Sequence, residues 1–135
     1  MTSLIRQVNA WATWAFVAAL IVQVWLAGSA IPQLGGTGSF VSHRDFGYLI
    51  GLFSLILVIL AAVARMGRRR ILQALGILGL YIVQSSLPYM EPGLPAAAAL
   101  HPVNAVVMIG VATWYARHVW RERSATSTAT AAAAA

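Results

Sequence analysis

The sequence predicts an all-α integral membrane protein, a bundle of four transmembrane helices running up-down-up-down. Three observations predict it. Of the 135 residues, 60% are hydrophobic and only 9% are charged, against about 25% charged in an ordinary soluble domain. The mean hydropathy is +0.78, so lipid must solvate most side chains. Four segments approach the length of about 20 apolar residues that a membrane-crossing helix needs.

Those segments run over about 8–28, 44–64, 71–88 and 99–119, within a membrane domain spanning 1–123. Each has a stop signal. Ile31-Pro32-Gln33-Leu34-Gly35-Gly36 closes the first. Arg65-Met66-Gly67-Arg68-Arg69-Arg70 separates the second from the third. Pro88, Pro92, Gly93 and Pro95 interrupt the chain before the fourth. The first segment has Arg6 before it, as a signal peptide would. Its apolar run exceeds the usual core of about 7–15 residues, so a retained span is expected. The Ser/Thr/Ala-rich stretch 124–135 reads as a tail, poorly ordered or helical only by extension.

Arginine placement sets the expected orientation. Arg6, Arg65, Arg68, Arg69, Arg70, Arg117, Arg121 and Arg123 fall on one side of a four-span topology, eight of nine arginines. Only Arg44 falls on the other. Both termini are then cytoplasmic, and the 29–43 and 89–100 loops face outward. The net charge of +6 follows from topology and lipid headgroups, so no nucleic-acid partner is expected. Trp11, Trp14, Trp114 and Trp120 near one interface, with Trp25 near the other, fit an aromatic belt.

Polar residues inside a membrane usually face the protein interior or a site. His43 opens the second span and His101 opens the fourth. Gln23 lies late in the first, and Gln84, Ser85 and Ser86 late in the third. Asn104 is one turn into the fourth. All four spans thus bring polar groups to the outer leaflet, and the cytoplasmic halves are expected to carry almost none.

In such a bundle the second and fourth spans are diagonal. Neighbouring axes lie about 8–10 Å apart, so diagonals are roughly 12–14 Å apart. Two imidazoles do not meet across that gap, but a metal with an axial nitrogen on each side fills it. Haem iron accepts histidine ligands. With no cysteine in the chain, thiolate sites and covalent haem attachment are excluded, and haem b would be held non-covalently. Small residues at Gly47, Gly51 and Ala105 leave room for a macrocycle, although they suit plain helix contacts equally. Arg44 reads as a propionate partner or as a partner of Asp45. Gln23 and Gln84 could orient an imidazole, bind quinone, or join helices by hydrogen bonds. His118 stands alone at the opposite end and reads as interfacial. Met90 and Met108 are secondary candidates for an axial position.

His43-Arg44 and Leu100-His101, with the small residues that follow, resemble the two sites of one four-helix half of haem A synthase. More broadly, the chain is similar to small bacterial four-helix membrane b-type cytochromes. The resemblance covers roughly residues 8–120 and implies a haem held between His43 and His101. Ser39 stands where haem A synthase has a functional glutamate. The haem-holding fold therefore carries over, and the haem-modifying chemistry does not.

The expected function is single-electron transfer, as a non-catalytic subunit of a larger redox or photosynthetic complex with membrane or periplasmic partners. Asp45 and Glu91 are the only outward carboxylates and form no evident acid–base pair. Two other readings use the same residues. One is a haem-free scaffold in which His43 and His101 are interfacial. The other is a bacteriochlorophyll- or carotenoid-binding subunit in which one histidine ligates magnesium.

Overall fold

A computed structural model describes the backbone of residues 2–134 and the side chains of residues 4–123. All regular structure is helical: α1 Thr2–Gly28, α2 Val41–Val63, α3 Arg68–Ser86, a single-turn α4 Pro95–Ala98 and α5 His101–Ala134, with short 3₁₀ turns at Pro32–Leu34 and Leu87–Met90. Four stretches are long and apolar enough to cross a membrane: Leu4–Gly28, Val41–Val63, Arg68–Met90 and Pro95–Arg123. The expected spans lie within these, except that the second was placed three residues late and ended one residue beyond Val63. Helix α5 runs on through the tail, so the helical extension describes it.

The helices pack as a ring in which α1 touches α2 and α5, and α3 touches the same two. Helices α2 and α5 are therefore diagonal. Helices α1 and α2 form one hairpin, and α3 and α5 the other. Small residues let the backbones approach: Ala10, Ala61, Ala74, Ala112 and Ala116 are all buried. Phe16 and Phe53 fill the middle edge to face, with centroids 5.4 Å apart. Ile21, Leu52, Ile59, Leu72 and Val106 point outward. Such a surface is untenable in water but ordinary against lipid.

The helix ends are set locally. Helix α2 stops where Arg65 turns into the left-handed region, at φ 51°. The Arg6 guanidinium reaches across to the freed carbonyls, with Nε 3.3 Å from Ala64 O and Nη2 3.5 Å from Arg65 O. Gly67, at φ 84°, turns the chain into α3. Helix α5 begins at His101 because Pro102 suits a first turn, where its missing N–H costs nothing.

Contacts tie the basic residues to one end. Arg6 joins the start of α1 to the end of α2. Trp11 and Trp120 pack edge to face at 4.8 Å, joining α1 to the far part of α5, and Arg123 stacks over Trp120 at 4.4 Å. Arg70 Nε donates to Glu122 Oε1 at 2.9 Å, joining α3 to α5.

One expectation fails at this end. It is not free of polar side chains. Asn9, Thr13 and Ser54 are buried with 0–1% exposure, Arg70 with 7%, and Tyr115 with 0%. Thr13 and Ser54 satisfy themselves by donating to the carbonyls three residues back, Ala10 O at 2.8 Å and Gly51 O at 2.7 Å. Arg70 is held by Glu122 and by Gln73 Oε1, 2.7 Å from Nη1.

Candidate functional site

The opposite end of the bundle holds a cavity of about 760 Å³ that draws its walls from all four long helices. His43 and His101 face it from the diagonal helices α2 and α5. Their ring centroids are 6.2 Å apart and their planes differ by 72°.

Each histidine is fixed by the helix before it. His43 is the third residue of α2 and His101 the first of α5, so both sit at the mouth of a hairpin. His43 Nδ1 lies 3.1 Å from the backbone oxygen of Gln23, and His101 Nδ1 lies 3.0 Å from that of Gln84. A carbonyl oxygen can only accept, so Nδ1 carries the proton in both rings. The Nε2 of each neutral ring is then an unprotonated lone pair. The two hairpins repeat one device: a glutamine carbonyl late in one helix holds the imidazole that opens the next.

The glutamine side chains differ. Gln23 Nε2 donates to the His43 backbone oxygen at 2.8 Å, while Gln23 Oε1 is buried without a partner. Gln84 Nε2 lies 3.1 Å from His101 Nε2, and Gln84 Oε1 accepts from Asn104 Nδ2 at 2.7 Å. Asn104 Nδ2 also donates to Leu80 O at 3.1 Å. The His101 lone pair thus has a protein donor. That of His43 has none among the described residues.

The remaining expected residues divide. Arg44, Gly47 and Ala105 line the cavity. Arg44 sits at its lip, with Nε 3.1 Å from Asp45 Oδ1 and both side chains more than half exposed. Gly47 lies under the Gln23 amide; a Cβ there would stand 3.1 Å from Gln23 Nε2. Gly51 is placed differently from expectation. The ring of Tyr81 packs onto its Cα, so that a Cβ would overlap the ring. The space at Gly51 belongs to a tyrosine, not to a macrocycle. Met108 lines the inner cavity wall, whereas Met90 is absent from the lining. His118 is remote, its Nδ1 2.8 Å from Trp114 O in its own helix.

Sequence reasoning passed over the tyrosines. Tyr48, Tyr81 and Tyr89 contribute to the walls, with Tyr48 and Tyr89 close to one another. The available signal was register: Tyr48 is five residues after His43, and Tyr81 is three before Gln84. Among the described residues no group of three or more His, Asp or Glu side chains could hold a metal ion. Any metal at this site would rest on the two imidazoles together with donors that it brings.

Residues 23–89 match a family of unknown function, DUF6220. The match runs from Gln23 through α2 and α3 to Tyr89, and so includes His43 and Gln84 but not His101. No curated protein and no solved structure matches the chain.

A haem at this site would be held by the His43 and His101 imidazoles. Metal–imidazole bonds are about 2 Å long and the ring centre lies about 1.2 Å behind the nitrogen, so two imidazoles on opposite sides of one metal would hold centroids roughly 6.4 Å apart. The observed 6.2 Å is close to that spacing and is equally an ordinary edge-to-face separation for two rings in direct contact. The cavity takes its lining from all four long helices around the two histidines. One adjustment is required: the Gln84 amide must leave His101 Nε2.

Proposed function

We propose that this protein is a small membrane b-type cytochrome. It holds one haem between His43 and His101 and passes single electrons at the outer face of a bacterial inner membrane. The observation that carries the reading is the pair of diagonal imidazoles, 6.2 Å apart, each with Nδ1 tied to a carbonyl of the preceding helix. Tethering of this kind orients a ligating histidine and raises its basicity.

Haem bound there supplies a one-electron iron couple. The chain's own residues supply position and surroundings. Gln23 and Gln84 fix the imidazole tautomer. Tyr81, Ile50 and Met108 close the inner wall and keep water from the ligands. Arg44, exposed at the lip, offers a guanidinium to carboxylates from outside the bundle. Under the positive-inside rule, the eight arginines at the other end support cytoplasmic termini. The site then lies in the outer half of a hydrocarbon layer about 30 Å thick. An electron crossing the membrane needs a second centre, so this chain serves as a subunit of a larger redox assembly.

A second reading has one specific observation in its favour. The Gln84 amide at 3.1 Å from His101 Nε2, locked by Asn104, satisfies that ring without any metal. This describes a haem-free scaffold whose histidines tie together the two helices of each hairpin. Haem titration into purified protein separates the two. The cytochrome reading expects one haem per chain in wild type and loss of six-coordinate low-spin iron in either His43→Ala or His101→Ala. No binding to the wild type sinks it. Retention of five-coordinate binding in both variants, with an equal affinity for a magnesium porphyrin, would favour a pigment carrier.

A further inference from the structure

The arginine-rich end contains a second polar site, which the electron-transfer reading does not use. Asn9 on α1 and Tyr115 on α5 are each 0% exposed. Neither polar atom of the Asn9 amide, nor the Tyr115 hydroxyl, makes a hydrogen bond of acceptable geometry to a protein group. The two side chains lie within hydrogen-bonding proximity of each other. A direct bond between them would still satisfy only one side of the amide, which offers both donors and an acceptor. Buried polar groups in stable proteins are nearly always partnered, by protein or by ordered water. Orphans of this kind, in a core with this much apolar lining, point to a ligand that both donates and accepts.

The neighbours identify how such a ligand arrives. Tyr115 lies within electrostatic reach of Arg70 and Glu122. Arg70 is almost fully buried, whereas the Glu122 side chain is 46% exposed. Glu122 is seven residues beyond Tyr115 on the same helix, about 10 Å along its axis. The polar groups therefore run from the surface into the core: Glu122 in contact with solvent, Arg70 bound to it, and Tyr115 beside Asn9. Farther in, Ala112 and Met108 are buried and apolar, and the sequence of polar groups on α5 stops.

We propose that this end of the bundle is a hydrated inlet. Water enters beside the Arg70–Glu122 pair and is held at its floor by the Asn9 amide and the Tyr115 hydroxyl. The ligand class is water, since the site needs simultaneous donation and acceptance within a buried apolar cluster that includes Ala10, Ala116 and Val119. Glu122 is the one group along the path with an exchangeable charge and access to bulk solvent, so it is the point of proton exchange. The inlet does not depend on haem at the opposite end.

The full chain in detergent micelles or nanodiscs tests this by NMR, with the Asn9 side-chain amide assigned by its loss in Asn9→Leu. A cross-peak between that amide and the water resonance is expected. In Glu122→Gln its exchange with solvent should slow severalfold, with the rest of the spectrum unchanged. The absence of a water cross-peak in a well-folded spectrum would overturn the inlet. A cross-peak whose exchange is the same in Glu122→Gln would overturn the assignment of Glu122 as its mouth. Should Glu122→Gln fail to fold, Arg70→Lys keeps a cation beside the carboxylate but changes its packing; unchanged Asn9 exchange there overturns the path.

Discussion

Replacing Gly51 with alanine tests how the middle of the bundle is built. Two effects oppose each other. Alanine is favoured over glycine inside a helix by about 0.8–1.0 kcal/mol, and Gly51 lies well within α2. Against this, the new methyl group would overlap the Tyr81 ring, and overpacking a fitted contact costs typically 1–3 kcal/mol. The net expectation is a destabilisation of about 1 kcal/mol. Removing the ring should reverse the sign. In a Tyr81→Ala background only the helix preference remains, and Gly51→Ala should stabilise by about 1 kcal/mol. The coupling between the sites is then about 2 kcal/mol, large enough for a double-mutant cycle to resolve. Reversible unfolding in mixed micelles, followed by circular dichroism, gives all four values. Tyr81 also lines the cavity, so the single variant should bind haem more weakly, because the displaced ring has that space to move into. The reasoning is refuted if Gly51→Ala stabilises the protein equally in both backgrounds.

Other expectations follow from single contacts. Arg65→Gly should stabilise by about 1 kcal/mol, because a left-handed conformation burdens any residue with a Cβ; the thermal midpoint reads this. Arg6→Met should lower the midpoint by removing the guanidinium from the two carbonyls at the end of α2, at roughly 1 kcal/mol. Glu122→Ala should cost about 2 kcal/mol in unfolding, less than the 3–5 typical of a fully buried broken pair, because Glu122 is half exposed. Asn104→Leu removes bonds to Leu80 O and Gln84 Oε1. It should destabilise the bundle by about 2 kcal/mol in the same assay.

Much of the architecture was legible in the sequence because lipid imposes strict requirements. Apolar length, arginine loops and proline breaks specify the spans and their order, and the ring of contacts follows from short connections. The level of the site was legible for a related reason: His43, Gln23, Gln84 and His101 are polar residues at matched depth. Their pairing was not. That each histidine would rest on a glutamine carbonyl depends on helix rotation, which apolar segments with lipid on one side and small residues on the other specify weakly. Gly51 shows the same limit from the other direction. A glycine announces a close approach, but sequence does not say whether a tyrosine or a cofactor makes it. The inner cluster was passed over because Asn9 and Tyr115 are single polar residues among tryptophans and alanines. The spacing of Asn9 and Thr13, four apart on one helix face, was the available signal. Glu122, the sole carboxylate among eight arginines, was the other, since it was bound to find a cationic partner.

The most direct measurement is the absorption spectrum of the purified chain, dithionite-reduced minus air-oxidised, after expression in cells able to make haem. The account predicts the sharp bands of a six-coordinate b-type haem at one per chain, absent from the His43→Ala/His101→Ala double variant. A colourless, folded wild-type protein, with its two imidazoles still seated on Gln23 and Gln84, would contradict it.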